Sequence, residues 1–302
     1  MENKTRGAVE MTTAMTISGT IGWFVVLSGQ PVLDVVFWRC VFGASTLLIV
    51  CAMMGLFRNA LTIRLLLIAA LGGVAIVFNW LLLFTAYHRA SISVATAVYN
   101  TQPFMLVGLG ALFLSERLTL TKILWLLIAF SGVLMIVLAD SGTSSSRAGY
   151  FSGILMALGA AFFYAVAAIL TKKLTGTPPH LIALIQVCVG IVMIAPFAHL
   201  SHLPAGVFTW SMLAAVGIIH TGLVYILLYG AIQKLPTHLT GSLSFIYPVV
   251  AILVDYLAFG RRLHPIQWIG IAAILLAAAG TNLGWSLWKP KSHIQELDCP
   301  TS

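Results

Sequence analysis

Charge is what this chain has least of. Only 8% of its 302 residues are Asp, Glu, Lys or Arg, against about 25% in a typical soluble domain. Eight residues are acidic in the whole chain. A soluble protein of this length needs a polar shell, and these residues are too few to build one. A disordered chain, a coiled coil and a water-soluble enzyme are all excluded. Cysteine is also scarce: Cys40, Cys51, Cys188 and Cys299 include no closely spaced ligand pair, so neither a metal site nor a disulfide framework is indicated. No glycine-rich loop followed by lysine is present to cradle a nucleotide phosphate. No Ser/His/Asp set or carboxylate pair falls on a common mid-membrane face. No cofactor is therefore expected, and enzymatic chemistry is not.

What fills the space is apolar. Hydrophobic residues make up 60% of the chain, and the mean hydropathy is +1.02. Lipid must serve as part of the solvent. A spanning helix takes roughly 20 residues, so the chain has room for about ten such helices and for no second, soluble domain. Apolar runs with polar punctuation place them at 8–28, 32–56, 64–85, 92–114, 120–139, 150–171, 180–200, 208–229, 237–259 and 265–287. Stretches such as Ile123 to Leu138 are apolar on both alternating sets of positions, which favours helices over a membrane barrel. The first run contains Glu10 and lacks a small-residue cleavage site, so it is not read as a removable signal peptide. The expected fold is an all-α polytopic membrane protein.

The net charge of +8 is explained by sorting. With a cytoplasmic N-terminus, eleven basic residues fall in inside segments and four (Arg89, Arg147, Arg261, Arg262) in outside loops, with Arg39 inside a span. That bias obeys the positive-inside rule. It puts both termini of the multi-pass chain in the cytoplasm. The expected partners are a small-molecule substrate and the lipid bilayer, with no nucleic acid; a homodimer is left open.

A shift of 145 residues superposes part of one half on the other. Pro103 meets Pro248, Arg117 meets Arg262, Leu118 meets Leu263, and Trp80 meets Tyr225. Residues 1–140 and 150–288 are thus read as two five-helix repeats, joined by a polar linker at 141–149 and followed by a tail at 289–302. An odd number of spans per repeat inverts the second half. Inverted repeats suit a transporter, because similar folds of opposite orientation give two states of similar energy around a midplane site.

The motifs carry a resemblance as well. Gln102-Pro103, Ser115-Glu116-Arg117-Leu118 and Gly132 recur as Tyr247-Pro248, Gly260-Arg261-Arg262-Leu263 and Gly270. On these residues the chain resembles the EamA-type permeases of the drug/metabolite transporter superfamily, over roughly residues 8 to 285. Arg39 resembles an arginine that family often carries in its second helix. Arg261 departs from the pattern, standing where a second glutamate is usual. The resemblance implies a secondary transporter of the inner membrane, often an exporter of amino acids or other small metabolites.

Candidate site residues are polar or aromatic groups within spans. Tyr99 and Gln102 share a helical face with Pro103, and Ser244 and Tyr247 stand likewise to Pro248. Asn79, Trp80, His220 and Tyr225 lie mid-membrane, and Trp23 and Tyr164 lie in the first and sixth spans. Amides and phenols can hold a polar or zwitterionic solute, and aromatic rings add apolar walls and cation–π faces. The competing reading is that these aromatics mark interfaces and the hydroxyls satisfy helix carbonyls. Pro103 and Pro248 should free the carbonyls of Tyr99 and Ser244 and kink their helices. Arg39 and Asp255 are charges within spans, candidates for gating pairs or substrate contacts, with snorkelling or a structural salt bridge as the alternative. Two other functions remain in view. Organic-phosphate or nucleotide-sugar antiport would want several cations facing the cavity; a membrane enzyme or receptor scaffold would want a reactive cluster or a sizeable extramembrane domain.

Overall fold

A computed structural model describes residues 2–57, 62–90, 95, 98–116, 119–138, 147–199, 203–259, 265–283 and 285. The described residues form helices and connecting turns. In chain order the helices are α1 (Glu2–Gly19), α2 (Ile21–Ser28), α3 (Val32–Met53), α4 (Ile63–Ala90), α5 (Gln102–Leu114), α6 (Leu120–Leu138) and α7 (Arg147–Lys173). Then follow α8 (Pro179–Ile194), α9 (Val207–Gly217), a π-helical segment (Ile218–Leu223), α10 (Val224–Lys234), α11 (Thr237–Ser244), α12 (Ile246–Phe259) and α13 (Pro265–Leu283). Five stretches among the described residues are long and apolar enough to cross a membrane: Val32–Met53, Ile63–Ala86, Phe151–Lys173, Pro179–Phe197 and Val207–Lys234.

The burial pattern is inside-out compared with a soluble protein. Leu67, Leu71, Phe113, Leu155, Val192 and Leu275 are exposed, while Arg39, Asn79, Asn100, Gln102 and His220 are buried. Apolar side chains on the outside and polar ones within fit a bundle whose outer solvent is lipid.

The two halves interlock. α1 packs on α10, α11 and α12, and α7 packs on α4 and α5. Each half thus lends its first helix to the other half. Under the 145-residue shift these two interfaces correspond. α3 meets α8, and α6 meets α13, so corresponding helices of the halves also meet each other. The α6–α13 contact is made by the motif glycines. A Cβ on Gly132 would stand 2.6 Å from the Gly270 carbonyl oxygen, so only a glycine allows that approach.

Several expected spans are divided. The first breaks at Thr20, between α1 and α2. The eighth contains the π segment. In the ninth, α11 ends at Ser244 and α12 starts at Ile246. The fourth breaks just before Gln102, with a turn at Asn100–Thr101. This corrects the reading of the two prolines. Pro103 and Pro248 do not kink continuous helices; each lies in the first turn of a new one. Proline is well suited there, because a first-turn N–H has no intrahelical partner to lose.

Candidate functional site

The helix breaks converge on one place. A narrow cavity of about 80 Å³ lies where α1, α2, α3, α4, α5, α7, the π segment, α10 and α12 meet. Among the sequence candidates, Asn79, Trp80, Tyr99 and Gln102 line it from the first half. Tyr164, His220, Tyr225 and Tyr247 line it from the second, and Arg39 completes the polar wall. Met15, Ile21, Leu83, Phe84, Val224 and Leu228 supply the apolar remainder. The sequence reading missed these six and Ser18, since nothing sets them apart from other residues in the spans.

Local structure holds each polar group in place. The Asn79 amide donates to the Tyr99 hydroxyl at 3.1 Å and to the Ala160 carbonyl at 2.8 Å. One side chain therefore ties α4, the residues before α5, and α7. The Tyr99 and Tyr164 rings meet edge to face, their centroids 6.4 Å apart. Trp80 donates its indole N–H to the Tyr225 hydroxyl at 3.1 Å, with the rings perpendicular. Trp80 and Tyr225 are the pair that the 145-residue shift superposes, so repeat-equivalent residues touch each other.

The second half's irregular backbone serves Arg39. A π turn widens the helix and shifts its hydrogen bonds, and such turns recur at functional sites. Here the side chains of His220 and Thr221 both reach back five residues, to the carbonyls of Ala215 at 3.3 Å and Val216 at 3.0 Å. Arg39 Nε donates to Thr221 Oγ1 at 2.8 Å, and Nη2 donates to the His220 carbonyl at 3.3 Å. The guanidinium carbon stands 4.1 Å from the Trp80 ring centroid, within cation–π range. A Cβ on Gly217 would lie 2.3 Å from the Phe42 Cβ, so that glycine lets α3 come close enough for Arg39 to reach the π segment. His220 Nε2 faces the Thr20 hydroxyl at 2.8 Å. A neutral ring donating from Nδ1 and accepting at Nε2 satisfies both contacts.

Three candidates stand apart from the cavity wall. Trp23 packs edge-on against Phe24, which in turn lies on His220. Ser244 is buried, donates to the Thr240 carbonyl at 2.8 Å, and lies beside the Tyr164 hydroxyl. Asp255 belongs to α12, but its side chain is outside the described residues. Arg39 has no carboxylate partner among the described residues, so no gating ion pair involving it is seen.

The carboxylates form ion pairs elsewhere. Glu10 pairs with Lys234 at 2.5 Å and with Arg6 at 3.0 Å. Glu116 pairs with Lys172 at 2.7 Å and accepts from the backbone and hydroxyl of Thr237 at 3.0 and 2.5 Å. Burial pushes the Glu116 carboxyl up, but the bonds from Lys172 and Thr237 outweigh it and hold the group below its ordinary 4.5. Asp34 accepts from the His199 backbone at 2.9 Å. Among the described residues no group of His, Cys, Asp and Glu is arranged to hold a metal.

An apolar-surfaced bundle of interlocked repeats around a small cavity walled by aromatic and polar groups defines a class: a helical membrane protein with an internal cavity between its halves. The model of the EamA-like transporter family matches the chain twice, at residues 5–138 and 151–283, and the protein belongs to that family. A transporter of Bacillus subtilis (strain 168) named YxxF, described as uncharacterized, is 30% identical over 284 residues, covering 93% of this chain and 90% of its own. The threonine/homoserine exporter RhtA of Escherichia coli (strain K12) is 27% identical over 236 residues, 76% of this chain and 72% of its own. A solved crystal structure superposes with a TM-score of 0.78 at 20% identity, over 90% of this chain and 96% of the other; that likeness concerns the fold alone.

Proposed function

We propose that this protein is a secondary-active transporter that exports small organic metabolites of amino-acid size by alternating access. The observation that carries this reading is the cavity itself. It sets polar groups among aromatic and apolar walls, is lined by both halves, and lies between divided helices in a bundle whose outer surface is apolar. In transporters of this kind, broken helices line the site and the repeats rock about it. Ten spans complete the picture: α1–α2, α9 through α10, and α11–α12 each act as one divided span, and residues 1–140 and 150–288 form two five-helix repeats of opposite orientation. The bias of basic residues supports cytoplasmic termini, and membership of the family supports an inner-membrane location. The relative named as a threonine/homoserine exporter supports both the cargo size and the outward direction.

Organic-phosphate antiport is not favoured. Its substrate would need several cations in the cavity, and Arg39 is the cation that lines it. Lys172 is committed to Glu116, and Lys173 lies over the Phe113 ring at 5.2 Å.

The test is flux. Protein reconstituted in liposomes should move labelled threonine or homoserine saturably, and unlabelled solute on the far side should accelerate that movement. Linear, unsaturable flux would point to a channel and remove alternating access. Tyr99→Ala and Gln102→Ala should insert normally yet transport at a small fraction of the wild-type rate; wild-type kinetics in both would take them out of the site.

A further inference from the structure

Arg39 is a cation whose surroundings neutralise only its hydrogen-bonding needs. It is 4% exposed and lines the cavity. Its described partners are the Thr221 hydroxyl, the His220 carbonyl and the faces of Trp80 and Tyr225. All four are uncharged. No carboxylate lines the cavity among the described residues, and Glu116, Glu10 and Asp34 pair with Lys172, Lys234 and His199. Holding a charge inside a membrane protein costs several kcal/mol unless it is paired or hydrated. Guanidinium carries five N–H donors in a planar fork. Nε and Nη2 each have a described acceptor, while Nη1 donates to no described residue. The protein positions this fork with a π turn and two close helix approaches, then leaves one edge of it toward the cavity.

A second group in the same cavity has the opposite need. The Gln102 side-chain oxygen is buried and has no hydrogen-bond partner among the described residues. A buried acceptor left without a hydrogen bond is destabilising, so it calls for a donor. The cavity thus offers a fixed cation and an unmet acceptor, between aromatic walls.

We infer that Arg39 is the anion anchor of the transport site, taking the carboxylate of a small solute whose hydrogen-bond donor meets Gln102. The substrate class follows from this. A small carboxylate fits. An organic cation does not, because it would share the cavity with an unneutralised arginine. A dianionic phosphate does not, because a single guanidinium leaves half its charge unpaired. The inference deepens the transporter reading and rests on it, but binding and transport are measured separately, so the two can fail separately.

The experiment measures binding to the full chain in detergent as a rise in melting temperature. The probes are L-threonine, its C-terminal amide, and the corresponding decarboxylated amine. Only the acid should stabilise the wild type. Arg39→Gln should weaken that effect roughly 10- to 100-fold in concentration, the worth of one charge-assisted hydrogen-bonded pair, and Arg39→Lys should recover part of it. Equal stabilisation by acid and amide, no stabilisation by the acid, or full retention in a folded Arg39→Gln would each overturn the anchor. The wild-type comparison decides the matter even if Arg39→Gln fails to fold. Saturable flux in liposomes, together with a failed binding series, would leave a transporter with another anchor; selective acid binding without flux would leave the anchor and remove transport.

Discussion

The two ends of the bundle are held together very differently. At the end where α10 turns into α11, the halves are stitched by charge. Glu10 of the first half holds Lys234 of the second, and Glu116 of the first holds Lys172 and the start of α11 in the second. Lys172 also donates to the Leu235 carbonyl at 2.8 Å, one residue from Lys234, so both clusters belong to one network. At the other end Asp34 meets His199, whose side chain is 61% exposed. A half-buried network of several charge pairs resists opening; one carboxylate held by the backbone and ring of a single histidine with an exposed side chain contributes less. The molecule is therefore described in a state latched at one end. Alternating access would require that latch to release and reform, and the charges that do so all bridge the two repeats.

Substitutions can break this comparison or sharpen it. The largest effect is expected for Glu116→Ala. It leaves Lys172 part-buried without its counterion and removes the carboxylate from the start of α11. The loss should be about 2–3 kcal/mol, somewhat less than for a fully buried pair, and should appear as a lower melting temperature in detergent. A smaller loss, about 1 kcal/mol, is expected for Glu10→Gln, because Lys234 is 25% exposed and can reach water. Next comes pH. The Glu116 carboxyl is held below its ordinary value, so its contribution is fully present above about 4.5 and is lost as pH falls through the lower, folded-state value. The melting temperature of the wild type should fall over that acid range, and Glu116→Gln should flatten that part of the profile. The smallest effect belongs to Asp34→Asn, no more than a few tenths of a kcal/mol. If Asp34→Asn proved as damaging as Glu116→Ala, the contrast between the ends would disappear.

Much of the bundle was legible because lipid writes itself into composition. Apolar runs and sorted basic residues located the helices and their breaks in the loops, and mid-span polar residues pointed to the cavity that gathers Asn79, Tyr99, Gln102, Tyr164 and Tyr225. The π turn was not legible. Ile218-Ile219-His220-Thr221-Gly222-Leu223 contains no proline, and it packs beside α3 at Gly217, a contact between residues far apart in sequence. For the same reason Arg39 could be seen as a buried charge but not matched to Thr221, 182 residues away. The prolines were visible, yet hydropathy does not distinguish a kinked helix from one that stops and restarts. Glu10 opens its span and its partner Lys234, 224 residues further on, closes another, so nothing local in the sequence pairs them.

The hydrogen bond between Trp80 and Tyr225 has a further consequence. It joins residues that the repeat relation carries into one another, so it lies where the pseudo-symmetry axis runs. Under the proposed alternating access, off-axis contacts would be exchanged for their counterparts, whereas this pair would stay together at the centre of the exchange. Tyr225→Phe removes the hydroxyl that accepts from Trp80 and should loosen that centre while leaving the contacts peripheral to it in place.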